Sequence, residues 1–308
     1  MTTSIPNCRM RVLSIFLHET GKRGLRERVQ IHVLASMQKL LPALEGLSDL
    51  NNRTLFFYFF NISSSEKAGE ETKKAFNQHK AKILHWLECE YTFIGDGEDC
   101  WTHAALVQFP DLSAIEAAAQ AGIKSEELED IQAFAVKQTK VPAFILFLFK
   151  LLRPIGSLLD KGLDKEEVLE SFSGGGITPR KDQLEKHFSN TRQSKAYMIN
   201  LLQSYKIAQY PGNTTVRGAT AYYRRYGFTA MRSVIMTGGN LVLAGRMGKP
   251  ILESKAPEAT QGPWEGIGIM EYSHPQKIFS LEHMPGYRKA IDHRTAGLER
   301  TALIIAKK

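Results

Sequence analysis

Two stretches of this chain run through the same order of apolar and polar segments: strand, helix, strand, strand. The first begins with the apolar run Leu55-Phe56-Phe57-Tyr58-Phe59-Phe60-Asn61-Ile62 and continues with a helical stretch from about Glu66 to Leu87. A strand Tyr91-Thr92-Phe93-Ile94 closed by Gly95 follows, then a strand opening with Trp101 and running to Phe109. The second answers with Ala196 to Leu202, a helix from about Arg217 to Met236, a strand Leu241 to Ala244 closed by Gly245, and a strand opening with Trp264 and running to Tyr272. Helix starts come next in both, at Pro110-Asp111-Leu112-Ser113 and at Ser273-His274-Pro275, where Pro suits a first turn and Asp or Ser a cap. Fourth strands are expected over Ile131 to Val136 and Thr301 to Ala306.

The order is βαββαβ twice, which predicts an α+β fold of tandem ferredoxin-like repeats. Each such sheet carries helices on one face and leaves the other apolar. Two copies in one chain can cover each other, giving an intramolecular pair like a dimeric α/β-barrel. The expected division is an N-terminal strand and helix extension over 1–50, a first repeat over 51–140, a helical connector over 141–190 and a second repeat over 191–308. Within the extension, Val29, Val33, Met37, Leu40, Leu41 and Leu44 recur at helical spacing.

Composition narrows the options. A chain of 308 residues suits two domains that each bury a core. The formal charge of +8 invites anionic partners, but the Lys and Arg residues are dispersed among 32 acids, and Phe57 and Phe59 lack the Lys/Arg-Gly-Phe context of an RNA-binding sheet. No nucleic-acid partner is expected. Cys8, Cys89 and Cys100 have no metal-ligand spacing and cannot all pair, which points to a reducing compartment. With no secretory pattern at Met1 to Asn7, a cytoplasmic location is expected.

Between the repeats lies Val141-Pro142-Ala143-Phe144-Ile145-Leu146-Phe147-Leu148-Phe149-Lys150-Leu151-Leu152-Arg153-Pro154-Ile155. It is too short to span a bilayer and is interrupted by Lys150, Arg153 and Pro154. A buried connecting helix is the expectation; an interfacial helix on a membrane, or a lid over an apolar pocket, is the alternative. Ser173 to Pro179 reads as a flexible joint and Pro179 to Phe188 as a short helix; the Gly triplet lacks the Lys-Ser or Lys-Thr of a phosphate loop.

Strand alternation sorts Trp264, Gly266, Gly268, Met270 and Tyr272 onto one face, and Trp101, His103, Ala105, Val107 and Phe109 onto one face of the first copy. Small residues beside large aromatics suit a pocket as well as close helix packing. From about Gly174 to Lys308, including Thr178-Pro179, Met198 to Leu202, Tyr222 with Tyr226-Gly227, Gly238-Gly239, Gly245-Arg246 and the ending His293 to Thr301, the chain resembles a bacterial domain family of unassigned function in the dimeric α/β-barrel superfamily. The resemblance implies the ferredoxin-like fold and the pairing of sheets. It implies no single reaction, because that superfamily spans cofactor-free monooxygenases, isomerases, cyclases, haem enzymes and binding proteins.

Candidate chemistry therefore rests on side chains. His293 can act as a base near neutral pH, Glu299 can orient it, and Arg294 can hold a carboxylate or enolate oxygen. Asn200, Tyr222, Tyr226, Arg246, Trp264 and Tyr272 are the candidate substrate-binding residues. These would make a metal-independent enzyme for an apolar oxygenated substrate, working by proton transfer, isomerisation, cyclisation or cofactor-free oxygenation in the second repeat. The competing expectation is a non-catalytic ligand-binding or scaffold protein, associated with a membrane surface through 141–159. No metal pattern such as H-E-x-x-H or C-x-x-C occurs, and no cofactor is expected. The partner is a small-molecule ligand, and the chain is expected to be a monomer or a homodimer.

Overall fold

The computed structural model describes residues 54–308, apart from 63–65, 98–99, 122–127, 162–164, 173, 175, 213 and 253–257. The extension expected over 1–50 lies outside the described residues. Eight strands, β1 (Thr54–Ile62), β2 (Lys82–Ile94), β3 (His103–Phe109), β4 (Leu128–Gln138), β5 (Ala196–Ser204), β6 (Asn240–Leu252), β7 (Gly266–Tyr272) and β8 (Leu298–Lys307), close into a barrel. The order around it is β1-β3-β2-β8-β5-β7-β6-β4, and every neighbouring pair is antiparallel. Each half has the strand order fourth-first-third-second. Where two sheets facing each other were expected, β2 pairs with β8 and β4 with β6, so the sheets join at both edges and no edge strand is left open among the described residues.

Alternation along the strands builds two separate apolar layers. Phe57, Phe59, Phe134, Tyr197, Ile199, Ile267, Ile269 and Ile304 point inward and fill the barrel. The Phe59 and Trp101 rings stack with centroids 5.6 Å apart, and Phe57 meets Phe59 edge-on at 4.8 Å. The interior is thus lined by a contiguous cluster of buried side chains. Trp101 and Trp264 both belong to it, which corrects their expected placement on the faces of His103 and Gly266: each precedes its strand and turns inward. Their indoles converge, Trp101 Nε1 donating to Thr260 Oγ1 (2.8 Å) and Trp264 Nε1 to the Thr260 carbonyl (2.6 Å). Tryptophan N–H groups need such partners once buried.

The outward faces carry helices. α1 (Glu66–Gln78) and α2 (Leu112–Ala121) cover the first half, closing over Phe56, Tyr58, Phe60 and Phe109. α3 (Ala143–Leu151), α4 (Arg153–Leu159), α5 (Lys165–Phe172) and α6 (Lys181–Ser189) follow β4. The second half is covered by a π-helix (Thr220–Tyr226), α7 (Gly227–Met236), a 3-10 segment (Pro275–His283) and α8 (Tyr287–Gly297).

Several elements differ from expectation. The helix expected to reach Leu87 ends at Gln78; Lys80 takes φ +57°, and β2 starts at Lys82. Gly95, at φ +130°, does end β2, but β6 runs on through Gly245, where absence of a side chain admits Val136 from across the seam. The connector expected to be buried is mostly exposed: in α3 and α4 only Phe149 and Gly156 are buried. No helix among the described residues is long and apolar enough to cross a membrane.

Candidate functional site

Between the outer face of the second sheet and its helices lies a cavity of about 720 Å³, within the ordinary range for small-molecule sites. Alternation supplies its floor, since Met198, Asn200 and Leu202 of β5, Gly268, Met270 and Tyr272 of β7, and Thr301 and Leu303 of β8 all line it. Gly268 is central, opposite Asn200 on one side and Ala244 on the other, and a Cβ built there would meet nothing within 4 Å. Gly266, two residues earlier, is roofed by the Tyr223 hydroxyl.

The roof comes from the π-helix, α7 and α8. A π-helical segment is rare, and such distortions gather at functional sites. Here it brings Tyr222, Tyr223 and Tyr226 to the cavity, while α8 brings Tyr287, Ile291 and Arg294. The two elements approach closely because both contact points are glycines. A Cβ on Gly218 would lie 2.7 Å from the Gly297 carbonyl, and one on Gly297 would lie 2.8 Å from Tyr222 N.

Polar groups are few and placed. Asn200 Nδ2 donates to the carbonyls of Met198 (3.2 Å) and Gly268 (3.3 Å). With both amide hydrogens committed to acceptors, the side-chain oxygen remains as the acceptor for the cavity. The Tyr226 and Tyr287 hydroxyls pair at 3.2 Å, and the Tyr222 ring lies 5.2 Å from that of Tyr226. Burial pushes the phenols of Tyr222, Tyr272 and Tyr287 well above the ordinary tyrosine range, with further upward effect from Tyr226; Arg294 opposes this at Tyr222 and Tyr287. Tyr222, Tyr272 and Tyr287 therefore stay neutral and can donate hydrogen bonds. Arg294 reaches the cavity while donating Nη2 to the Ile177 carbonyl, and Arg246 stands at the exposed rim.

Asn200, Tyr222, Tyr226, Arg246, Tyr272 and Arg294 are thus brought to one cavity. Trp264 is not, being part of the barrel interior. The expected His293, Arg294 and Glu299 cluster is divided: the His293 Nδ1 is 2.7 Å from the Tyr210 hydroxyl and the residue does not line the cavity. Glu299 is exposed and accepts the Gln203 amide at 3.2 Å. The cause is helical geometry. His293 and Arg294 are adjacent on α8 and so point about 100° apart. Residues missed by sequence reasoning include Met198, Tyr223, Phe228 and Tyr287; Phe228 and Tyr287 carried no periodic signal that separates cavity wall from core.

Haem held by an axial imidazole does not fit this cavity, which no described histidine lines. The buried His187, nearby against Phe93, spends Nδ1 on the Tyr91 hydroxyl (2.8 Å) and Nε2 on the Pro275 carbonyl (3.1 Å). Among the described residues no three His, Cys, Asp or Glu side chains gather as metal ligands.

The class this defines is a mixed α+β protein on a closed, antiparallel eight-stranded barrel, with an apolar cavity outside the barrel wall. No family model matches the chain. No curated protein matches it. Among solved structures it is similar to a protein of unknown function from Rhodopseudomonas palustris, with 30% identity over 44% of this chain and 98% of that one, at a TM-score of 0.37. Over most of its length it is similar to a chlorite dismutase variant from Candidatus Nitrospira defluvii (10% identity, 89% and 95% covered, TM-score 0.41). A monooxygenase-like protein from Lactobacillus acidophilus also matches (9% identity, 83% and 94% covered, TM-score 0.37).

Proposed function

We propose that this chain binds a small apolar molecule carrying an oxyanion or carbonyl end, in the cavity of its second half. The observation that carries the reading is the combination of a floor open at Gly268 between Met198 and Met270, apolar cover from Met231 and Phe228, and a polar end at Arg294, Asn200 and the tyrosine cluster. Apolar walls supply affinity and a few convergent polar groups supply orientation. The strand order shared by the halves supports reading the chain as tandem βαββαβ units, and the C-terminal unit as a member of the family of unassigned function that it resembles.

A second reading, a metal-independent enzyme, is favoured by the neutral phenols beside Arg294. A ligand oxygen held by the guanidinium could take a proton from Tyr222 as charge develops on it. His293 is not available as the base, given its place outside the cavity.

The test uses 8-anilinonaphthalene-1-sulfonate, an apolar anion of suitable size, with native mass spectrometry of the freshly purified protein to identify any retained ligand. Saturable fluorescence enhancement is expected, and Arg294→Gln should weaken it about tenfold, the value of one charge-assisted contact. Equal binding by Arg294→Gln and the parent, with both folded by their melting curves, overturns the assignment of the polar end. Should Tyr222→Phe abolish turnover of a candidate ligand but leave dye binding unchanged, the enzymatic reading gains.

A further inference from the structure

We infer that α3 and α4 dock this protein on an anionic lipid surface, with the cavity mouth beside the docked face; the ligand route rests on the binding reading above. Phe144 (65% exposed), Phe147 (60%), Leu148, Leu151, Ile155 and Leu158 (85%) form the exposed stripe. Their spacing of three, four, seven, eleven and fourteen residues from Phe144 puts them on one side of consecutive helices. Scattered exposed apolar residues are ordinary, but an aligned row of this kind marks an interaction surface.

The outward aim of the stripe is built in. On the opposite side, Phe149 packs with Met231 and Ile235, and its ring meets Phe228 edge-on at 5.2 Å. Gly156 lies so close to the end of α7 that a Cβ would come within 2.2 Å of the Met236 carbonyl. Arg153 donates to the carbonyls of Ile235 (3.2 Å) and Gly239 (3.0 Å), placing a cation at the C-terminal end of α7. Rotation that buried the stripe would break all three contacts.

Charge selects a lipid surface as the occupant. There is no Asp or Glu between Ile131 and Leu159, or between Asn200 and Leu252, in a chain that has 32 acids. Lys140, Lys150, Lys161 and Arg224 are all exposed in or beside these segments. The acid that ends α4, Asp160, is paired with Lys277. An apolar helical face flanked by cations is the pattern of an interfacial anchor, with anionic lipid adding attraction to apolar insertion. The same face borders the cavity: Pro142 and Ile145 of the α3 start and the half-exposed Phe228 line its mouth. A ligand with an apolar chain could pass from the acyl layer into the cavity without crossing water.

The test is flotation of the full-length chain with vesicles of phosphatidylcholine alone and of phosphatidylcholine with phosphatidylglycerol, beside dye binding in solution. Binding is expected on the anionic vesicles, weakened at about 0.5 M salt, where the screening length falls to a few ångströms. Phe144→Ser with Leu148→Ser should reduce it at least about tenfold, while dye binding and melting stay near those of the parent. Lys150→Glu with Arg224→Glu should lower it without touching the stripe. Equal flotation of parent and stripe variant overturns docking. So does the absence of flotation, whether the chain is a dimer that the stripe variant converts to monomer or a monomer whose stripe is protected from labelling. Vesicle binding without any dye site leaves docking standing and removes the ligand route.

Discussion

Two glycines on neighbouring strands should respond oppositely to the same methyl group. Gly268, on the cavity floor, has no heavy atom within 4 Å of a built Cβ and no positive φ. Alanine there is expected to stabilise by about 0.5–1 kcal/mol, because glycine in a strand carries an entropic cost that no contact offsets here. In a chain this large that corresponds to about 1–3 °C in Tm. Gly245, on β6, has Val136 Cγ1 at 2.7 Å and the Lys137 carbonyl at 3.0 Å from its built Cβ, both across the seam that closes the barrel. Neither atom is the end of a flexible surface chain, so alanine must push strands apart at a cost of about 1–3 kcal/mol. Gly268→Val carries the reasoning into function: it leaves the fold intact and occupies the floor, so the dye should bind at least about tenfold more weakly. Urea unfolding and dye titration of the three variants make the measurement. Destabilisation of Gly268→Ala by more than about 1 kcal/mol would show that the floor is filled, and unchanged dye affinity in Gly268→Val would show that the ligand site is elsewhere.

Other expectations concern buried polar groups. Burial lowers the His187 pKa to about 4 from 6.5, so between those values the unfolded chain holds a proton that the folded chain does not. Stability from this residue is complete above about pH 6.5 and falls by roughly 3 kcal/mol as pH drops toward 4; His187→Gln should show an acid loss smaller by that amount in urea titrations, and identical slopes would refute it. Tyr58 is wholly buried with its hydroxyl unpartnered among the described residues. Tyr58→Phe removes an unsatisfied group without changing shape, so a gain of about 1 kcal/mol is expected in the same assay, and a loss of that size would reveal a hidden partner.

Much of the barrel was legible because a strand announces itself through apolar runs and turn residues. All eight strands lie where the duplicated pattern puts them, although β2 and β6 are longer than read. The extra residues of β2, Lys82 to Glu90, mix polar and apolar types; Lys82 to Glu88 pair with β3, and the seam with β8 begins only at Glu88. Alternation extended back through Glu265 puts Trp264 on the Gly266 face, but the strand begins only at Gly266 and the chain before it turns Trp264 inward. The connector misled for a different reason. Hydrophobicity states what burial would be worth and is silent on whether a covering surface exists, so Phe144, Phe147, Leu148 and Leu151 read as core and emerge as surface. Among the candidate site residues, those on strands or one helical face were found together, whereas His293, Arg294 and Glu299, near in sequence across a helix end, were spread apart.

The halves of the barrel explain why one has a cavity. By register, Tyr58 of β1 faces Ala105 of β3 as Asn200 of β5 faces Gly268 of β7. In the first half the Tyr58 ring stacks near Phe60 at 5.7 Å and packs on Phe76 at 5.0 Å, filling the space under α1. At the corresponding place in the second half a large phenol is replaced by a short amide and alanine by glycine, and the helix above is a π-helix that faces the gap with Tyr222 and Tyr226. Small residues alone would have let the helix sink onto the sheet. It is held off because Gly218 and Gly297 lock the π-helix against α8 instead, at a backbone separation that leaves the floor uncovered. The volume therefore follows from two smaller residues on the sheet, Asn200 and Gly268, and one helix–helix lock above it.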